Sequence, residues 1–164
     1  MKSIVYPPPT RAPASAERFI VLADRSHFKV YQETTATGQQ TPTVTLITAV
    51  DFPTGKASYT DRESDQAGQF PRSGVAQSGG SNDERLPMER ERDERIAVEI
   101  ATRIENFLSK HPDIAWVYAA GPDMHRPILQ RVHSRFLNRL QSSVQKDLSN
   151  LPPAHLREHF PRGA

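Results

Sequence analysis

The chain has 164 residues, a formal net charge of +2 and a hydrophobic fraction of 36%. This length and apolar content support one hydrophobic core, so we expect a single domain. The absence of cysteine excludes disulfides, thiolate metal ligands and cysteine nucleophiles. The small charge excess does not indicate a generally basic nucleic-acid-binding protein.

The amino-terminal segment, residues 1–17, is rich in proline and has no apolar periodicity. It is predicted to be a disordered tail that precedes a domain at residues 18–160. The segment lacks the apolar centre of a secretory signal, and no apolar run in the chain is long enough to span a bilayer. The expected location is therefore the cytoplasm, with no membrane span.

Three strands are predicted before residue 52. Residues 19–23 form a short apolar run typical of a buried central strand. After a polar break at 24–27, residues 28–33 alternate between apolar and polar. Residues 43–50 are rich in β-branched side chains, which favour a strand. Three strands with short connections predict an antiparallel meander.

Residues 54–86 are polar, rich in Gly and Ser, and lack a helical or strand period. A loop of this length inside a compact domain is uncommon and is often functional. Arg62, Arg72 and Arg85 flank its glycines and are the best candidates for contacts to phosphate. The spacing of glycines in 74–81 resembles a phosphate-binding loop. However, Gly80 stands where that motif requires Lys, so nucleoside triphosphate binding is not indicated.

A long amphipathic helix follows the loop, with Pro87 predicted in its first turn and Pro112 beyond its end. Its apolar stripe consists of Ile96, Ala97, Ile100, Ile104, Phe107 and Leu108. Arginines alternate with acidic residues on the other face, which indicates a solvated surface and not a pair of catalytic carboxylates.

The last third of the chain is predicted to contain two strands and three helices. Residues 114–120 form a nearly apolar central strand, and Asp123 is a candidate N-cap of the next helix. Residues 134–140 favour a helix, followed by an edge-like strand at 142–148. A terminal helix begins near Pro152 and packs through Leu156 and Phe160. The fold class is therefore α/β, in two or three layers. Its mixed sheet of about five strands has an antiparallel meander followed by a parallel crossover.

The terminal helix also contains an H-x-x-E-H pattern formed by His155, Glu158 and His159, which in some peptidases binds zinc. The segment lies near the chain end on a short helix, so an amphipathic helix with exposed histidines is favoured over a metal site. We expect neither a metal nor a cofactor.

Several segments together resemble the bacterial host attachment protein family over roughly residues 18–160. They are Phe19-Ile20-Val21-Leu22-Ala23-Asp24, Ser64-Asp65-Gln66-Ala67-Gly68-Gln69-Phe70, Glu94-Arg95-Ile96-Ala97, Lys146-Asp147-Leu148-Ser149 and Leu156-Arg157-Glu158-His159. The resemblance implies a protein required for attachment to host cells. These segments add Asp65, Gly68, Gln69, Lys146 and Asp147 to the candidate partner-binding residues.

That family in turn looks like the middle domain of archaeo-eukaryotic peptide-chain release factors. In those proteins three strands lead into a long loop carrying Gly-Gly-Gln, and a long helix follows. Gly79, Gly80 and Ser81 stand at the matching place here, with Ser81 in the position of Gln. The resemblance implies a ribosome or transfer RNA as partner.

The function expected from this resemblance is a cytoplasmic RNA- or ribosome-associated factor that acts through the Gly-rich loop. The resemblance also suggests hydrolysis of the peptidyl-transfer RNA ester. Because Ser81 replaces the Gln, whether the protein is an enzyme stays open. The alternative is a non-enzymatic interaction or regulatory protein that bacterial attachment to host cells needs only indirectly.

Overall fold

The computed structural model describes residues 16–52 and 81–162. The strands and helices in chain order are β1 (Ala16–Ala23), β2 (His27–Thr35), β3 (Thr43–Asp51), α1 (Ser81–Ser109), β4 (Ala115–Ala120), α2 (Pro122–Leu129), α3 (Ser134–Leu137), β5 (Leu140–Gln145) and α4 (Pro153–His159).

The five strands form one mixed sheet in the order β3-β2-β1-β4-β5. Strand β2 is antiparallel to both of its neighbours, whereas β1 is parallel to β4 and β4 is parallel to β5. The predicted antiparallel meander and the parallel crossovers are thus confirmed. Strands β1, β3, β4 and β5 all point the same way, so their carboxyl ends share one edge of the sheet, which we call the carboxyl edge.

The central strands are buried on both faces of the sheet because their residues are apolar without alternation. On one face, Phe19 and Val21 of β1 pack with Trp116 of β4 and the helices α1 and α2. On the other face, Ile20 and Leu22 pack against α4 and the segment before it. The sheet therefore lies between two helical layers.

Helix α1 packs on the sheet through the predicted apolar stripe. Ile96, Ala97, Ile100, Ile104 and Leu108 are buried, and Phe107 is half-buried against the same cluster. The amino end of the helix differs from the prediction. The helix begins at Ser81, so residues 81–86 are helical and Pro87 lies inside the helix. The sequence from Ser81 to Glu84 matches the S-x-x-E pattern of a helix start.

Two other boundaries differ from the prediction. Gly121, not Asp123, is the N-cap of α2, because Pro122 already occupies the first helical position, and Asp123 lies in the first turn. The segment after it divides into a four-residue helix and a strand that ends at Gln145, so residues 146–148 lie outside β5. The terminal helix α4 is confirmed, with Leu156 fully buried and Phe160 buried just after its end.

Candidate site at the carboxyl edge

The order of the strands reverses between β1 and β4. From β1 the chain builds the sheet through β2 and β3, and after α1 it returns to the other side of β1 to add β4 and β5. Open α/β sheets bind their ligands beyond the carboxyl ends of the strands at such a reversal. The topology alone therefore directs attention to the ends of β1 and β4.

A cleft with a volume of about 390 Å³ lies at this position. We call it the carboxyl-edge cleft. Its walls come from the β1–β2 turn, from the start of α2 and from the segment after β5, and consist of Asp24, Arg25, Ser26, His27, Gly121, Pro122, Asp123, Met124, Asp147 and Asn150. The volume is in the range of pockets that hold small organic ligands.

Asp24 organises the floor of the cleft at the end of β1. One of its carboxylate oxygens accepts hydrogen bonds from the backbone N–H groups of Ser26 and His27. Burial acts to raise the pKa of Asp24, but hydrogen bonding by His27 and the Ser26 N–H acts in the opposite direction, and the pKa lies below its ordinary value. Asp24 is therefore a carboxylate at neutral pH.

His27 stands between two carboxylates. Its Nδ1 lies 3.0 Å from Oδ2 and 3.1 Å from Oδ1 of Asp24, and its Nε2 lies 3.7 Å from Oδ1 of Asp51. A carboxylate at Nδ1 fixes the orientation of an imidazole and favours a proton on that nitrogen. The two carboxylates therefore hold the imidazole in a fixed position beside the cleft.

Arg25 joins the β1–β2 turn to two helices. Its Nη2 donates to Oδ2 of Asp93 on α1 at 2.8 Å and lies 3.5 Å from Oδ2 of Asp123 on α2. The hydrogen bond to Asp93 raises the pKa of Arg25 above its ordinary value. Both contacts are partly exposed, so their main effect is to position the two helices around the cleft.

Asp147, in the segment after β5, lines the same cleft, and its predicted role in binding a partner stays a prediction. Its Oδ1 accepts a hydrogen bond from the Ser149 N–H at 3.0 Å, and the Ser149 carbonyl accepts one from Nζ of Lys29 at 2.7 Å. Lys146 is exposed immediately after β5 and does not line the cleft.

The carboxyl-edge cleft has an acidic balance of charge. Three carboxylates, those of Asp24, Asp123 and Asp147, line it with Arg25, whose guanidinium is already paired with acids, and His27. A phosphate entering such a cleft would be repelled, whereas a neutral polar group or a cation would not. The cleft thus suits the uncharged or cationic part of a ligand.

Other predicted site residues divide into two groups. Arg62, Asp65, Gly68, Gln69, Arg72, Gly79 and Gly80 lie outside the described residues. Ser81 and Arg85 belong to the first turns of α1. Of the predicted residues that the structure describes, Asp147 alone lines the cleft.

The residues that the sequence interpretation missed are Asp24, Arg25 and His27, which it took only as a polar break between strands. A signal for them was present. A carboxylate directly after a fully apolar strand lies at the carboxyl end of that strand, where α/β sheets place ligands. Using this signal requires knowing that strand order reverses next to β1, and the sequence alone does not give the order of the strands.

The H-x-x-E-H segment forms part of an exposed helix face. Nδ1 of His155 lies 3.3 Å from Oε1 of Glu158, and both side chains are more than half exposed. Within residues 16–52 and 81–162, no group of three or more His, Asp or Glu side chains is arranged to hold a metal ion. In the same residues, no helix has both the length and the apolar character needed to cross a membrane.

Comparison with protein families gives one assignment. The family described as "Protein required for attachment to host cells" matches residues 19–160, which is most of the chain and includes every residue of the carboxyl-edge cleft. No curated protein matches the chain.

Proposed function

The chain belongs to the family of proteins required for attachment to host cells, and from this premise we propose that it is a cytoplasmic RNA- or ribosome-associated factor that acts through the Gly-rich loop. The observation that carries the proposal is where this loop begins and ends. Strand β3 delivers the chain to the carboxyl edge, and the backbone N–H of Phe52 donates to the Ser26 carbonyl of the β1–β2 turn at 2.8 Å.

The other end of the loop leaves from the same edge. Asp93 of α1 contacts Arg25 beside the cleft, so the residues of α1 that precede Asp93 extend past the sheet. At 1.5 Å per residue this extension is about 18 Å long. Residues 86–91 within it are exposed. The described residues on either side of 53–80 thus lie at or beyond the carboxyl edge, where α/β sheets bind ligands.

The charges indicate which part of the protein would contact which part of an RNA. The acidic cleft does not favour phosphate, so contacts to an RNA backbone are assigned to Arg62, Arg72 and Arg85, the arginines that flank the glycines of the loop. The cleft would receive a group without negative charge, such as a base or a ribose. The resemblance to release-factor middle domains supports the ribosome or transfer RNA as the partner.

Ribosome co-sedimentation tests the proposal. The full chain is expected to pellet with ribosomes at low salt, and the double variant Arg62→Ala with Arg72→Ala is expected to stay largely in the supernatant, because two phosphate contacts are lost. The matched control is Arg95→Ala with Arg103→Ala, which removes two ion-paired arginines from α1. Equal pelleting of both double variants, or no pelleting of the parent chain, would count against the proposal.

The second candidate is a non-enzymatic interaction protein, and one observation favours it. Strand β3 ends the sheet on one side, and it exposes 48% of Leu46 and 43% of Ile47. A free edge strand with exposed apolar side chains is a surface on which another protein can add a strand. If the chain does not pellet with ribosomes but loses a protein partner on Leu46→Lys substitution, this candidate replaces the first.

A further inference from the structure

The opposite end of the sheet, which we call the amino edge, carries a cluster of basic side chains. Helix α1 ends there, and the connection from α2 through α3 to β5 crosses it. The cluster, named here the amino-edge basic surface, consists of Lys110, Arg131, Arg135 and Arg139. Two acidic residues lie near it, Glu105 and Asp113. The Glu105 carboxylate accepts a hydrogen bond from the backbone N–H of His133, between Arg131 and Arg135, at 2.7 Å.

Arg139 makes this surface rigid. Its Nη1 donates to the carbonyls of His111 at 2.8 Å and Ile114 at 3.1 Å, and its Nη2 donates to the carbonyl of Leu108 at 3.2 Å. One guanidinium therefore satisfies carbonyls at the carboxyl end of α1 and at the start of β4. The ring of Phe136, itself 3% exposed, has the guanidinium carbons of Arg135 and Arg139 at 4.5 Å and 5.7 Å from its centroid.

The arginines of the described ranges fall into those that pair with a carboxylate and those that do not, and the second group contains Arg90, Arg126 and Arg157 as well as the arginines of this surface. Arg18, Arg25, Arg95 and Arg103 each pair with a carboxylate. Arg131, Arg135 and Arg139 form no ion pair with any acid of the described ranges. Arg131 donates one hydrogen bond, from Nη1 to the Pro127 carbonyl at 2.8 Å. Lys110, Arg131 and Arg135 are exposed. The surface therefore retains positive charge and hydrogen-bond donors for an external anion.

The surrounding side chains favour a nucleic acid over a lipid surface. Gln130, Ser134 and Asn138 are exposed and directly precede Arg131, Arg135 and Arg139 in the chain, and such amide and hydroxyl groups contact phosphate and sugar. None of the exposed large hydrophobic residues of the described ranges lies between residues 110 and 139, whereas a membrane-binding face needs apolar side chains that insert. Arginine also matches phosphate with two parallel hydrogen bonds.

We propose that the amino-edge basic surface binds the phosphate backbone of single-stranded RNA. This site is additional to the loop of the proposed function and lies at the other end of the strands. The six residues of β4 separate the two edges by roughly 20 Å. An RNA strand contacting both would therefore have to pass along the body of the protein.

Binding of a fluorescein-labelled 20-nucleotide uridine RNA to the full chain tests this inference. The variant Arg131→Gln with Arg135→Gln is expected to bind on the order of tenfold more weakly. Its plot of log affinity against log salt is expected to be shallower by about 0.7 for each lost phosphate contact. Lys110→Gln, which alters no packed side chain, is expected to act in the same direction. Arg139 is left unchanged because it supports the backbone.

The control Arg95→Gln with Arg103→Gln removes the same charge from α1 and is expected to keep the parent slope. If it weakens binding equally, or if the chain binds vesicles with 30% phosphatidylserine but not the RNA, the inference is overturned. The variant Arg62→Ala with Arg72→Ala separates the two proposals. Should it bind the RNA normally while the Arg131 and Arg135 variant does not, the basic surface stands and the loop is rejected as the RNA site.

Discussion

His125 is a buried histidine with an unsatisfied nitrogen. Only 7% of the residue is exposed, its Nε2 has no hydrogen-bond partner among the described atoms, and its ring centroid lies 5.2 Å from that of Tyr118. Burial lowers the pKa of His125 below its ordinary value, because the charged imidazolium is poorly solvated there. The folded protein therefore holds this side chain neutral.

This burial predicts a pH dependence of stability. The unfolded chain takes up a proton on His125 at its ordinary pKa of 6.5, whereas the folded chain takes it up only at a lower pH. The unfolded state thus binds more protons in this interval, and the free energy of unfolding falls as pH decreases from about 7 towards 5. His125→Phe removes the titrating group while keeping an aromatic ring against Tyr118. Urea unfolding at several pH values should show the parent losing more stability than the variant over this range. Parallel curves would contradict the interpretation.

Asp24 is an example of a single residue whose structural role cannot be predicted from the sequence. The apolar run 19–23 predicts a buried strand, and the following polar residues predict a turn. That Asp24 also faces Asp123 and Asp147 across a cleft depends on contacts between segments about 100 residues apart, and no local pattern encodes such contacts. The sequence shows where each of these residues stands in the chain, but it does not show that they lie together in the fold.

At the scale of elements, the terminal helix α4 is fastened to the sheet by a buried charge network. Arg18 of β1 donates from Nε and Nη2 to Oε2 of Glu33, its direct partner on β2, at 3.1 Å and 3.0 Å. Arg18 also donates to the Phe160 carbonyl, and Nε of Arg162 donates to Oε1 of Glu33 at 2.8 Å. Glu33 is 1% exposed. The carboxylate therefore links two strands to the end of the chain.

Removing this carboxylate is expected to be costly. Glu33→Ala leaves the Arg18 guanidinium buried without its counter-ion, so the free energy of unfolding should drop by about 3–5 kcal/mol. Arg162→Ala is the matched control, because its side chain is 33% exposed. It should cost about 1 kcal/mol or less. Urea denaturation measures both. A Glu33→Ala loss as small as that of the control would contradict the role given to the network.

The elements themselves were largely predictable because their signals are local. The stripe from Ile96 to Leu108 and the β-branched run in β3 fix a helix and a strand without any tertiary information. The boundaries were less certain where competing signals overlap. Pro87 suggests a first turn, yet the S-x-x-E pattern at Ser81 starts the helix earlier, and the tertiary structure accommodates the proline inside it. The role of Glu33 in docking α4 could not be predicted, because an alternating strand normally exposes such a residue.

At the scale of the whole molecule, the two edges of the sheet have different characters. The carboxyl edge holds an acidic cleft beside the end of β3 and the Asp93 region of α1, whereas the amino edge carries arginines without described acidic partners. The topology separates them, because every helix crossing from one parallel strand to the next must return from the carboxyl edge to the amino edge. The proposed RNA-associated function uses the first edge, and the second site extends it.

Ultraviolet cross-linking of the full chain to ribosomes, followed by mass spectrometry of the cross-linked peptides, tests the central claim most directly. If the carboxyl edge and the Gly-rich loop contact RNA, RNA-bearing peptides should come from residues 24–27 and 53–92, and Arg62→Ala with Arg72→Ala should reduce their yield. Cross-links confined to β3, or to the amino edge alone, would contradict the claim that the carboxyl edge is the face presented to RNA.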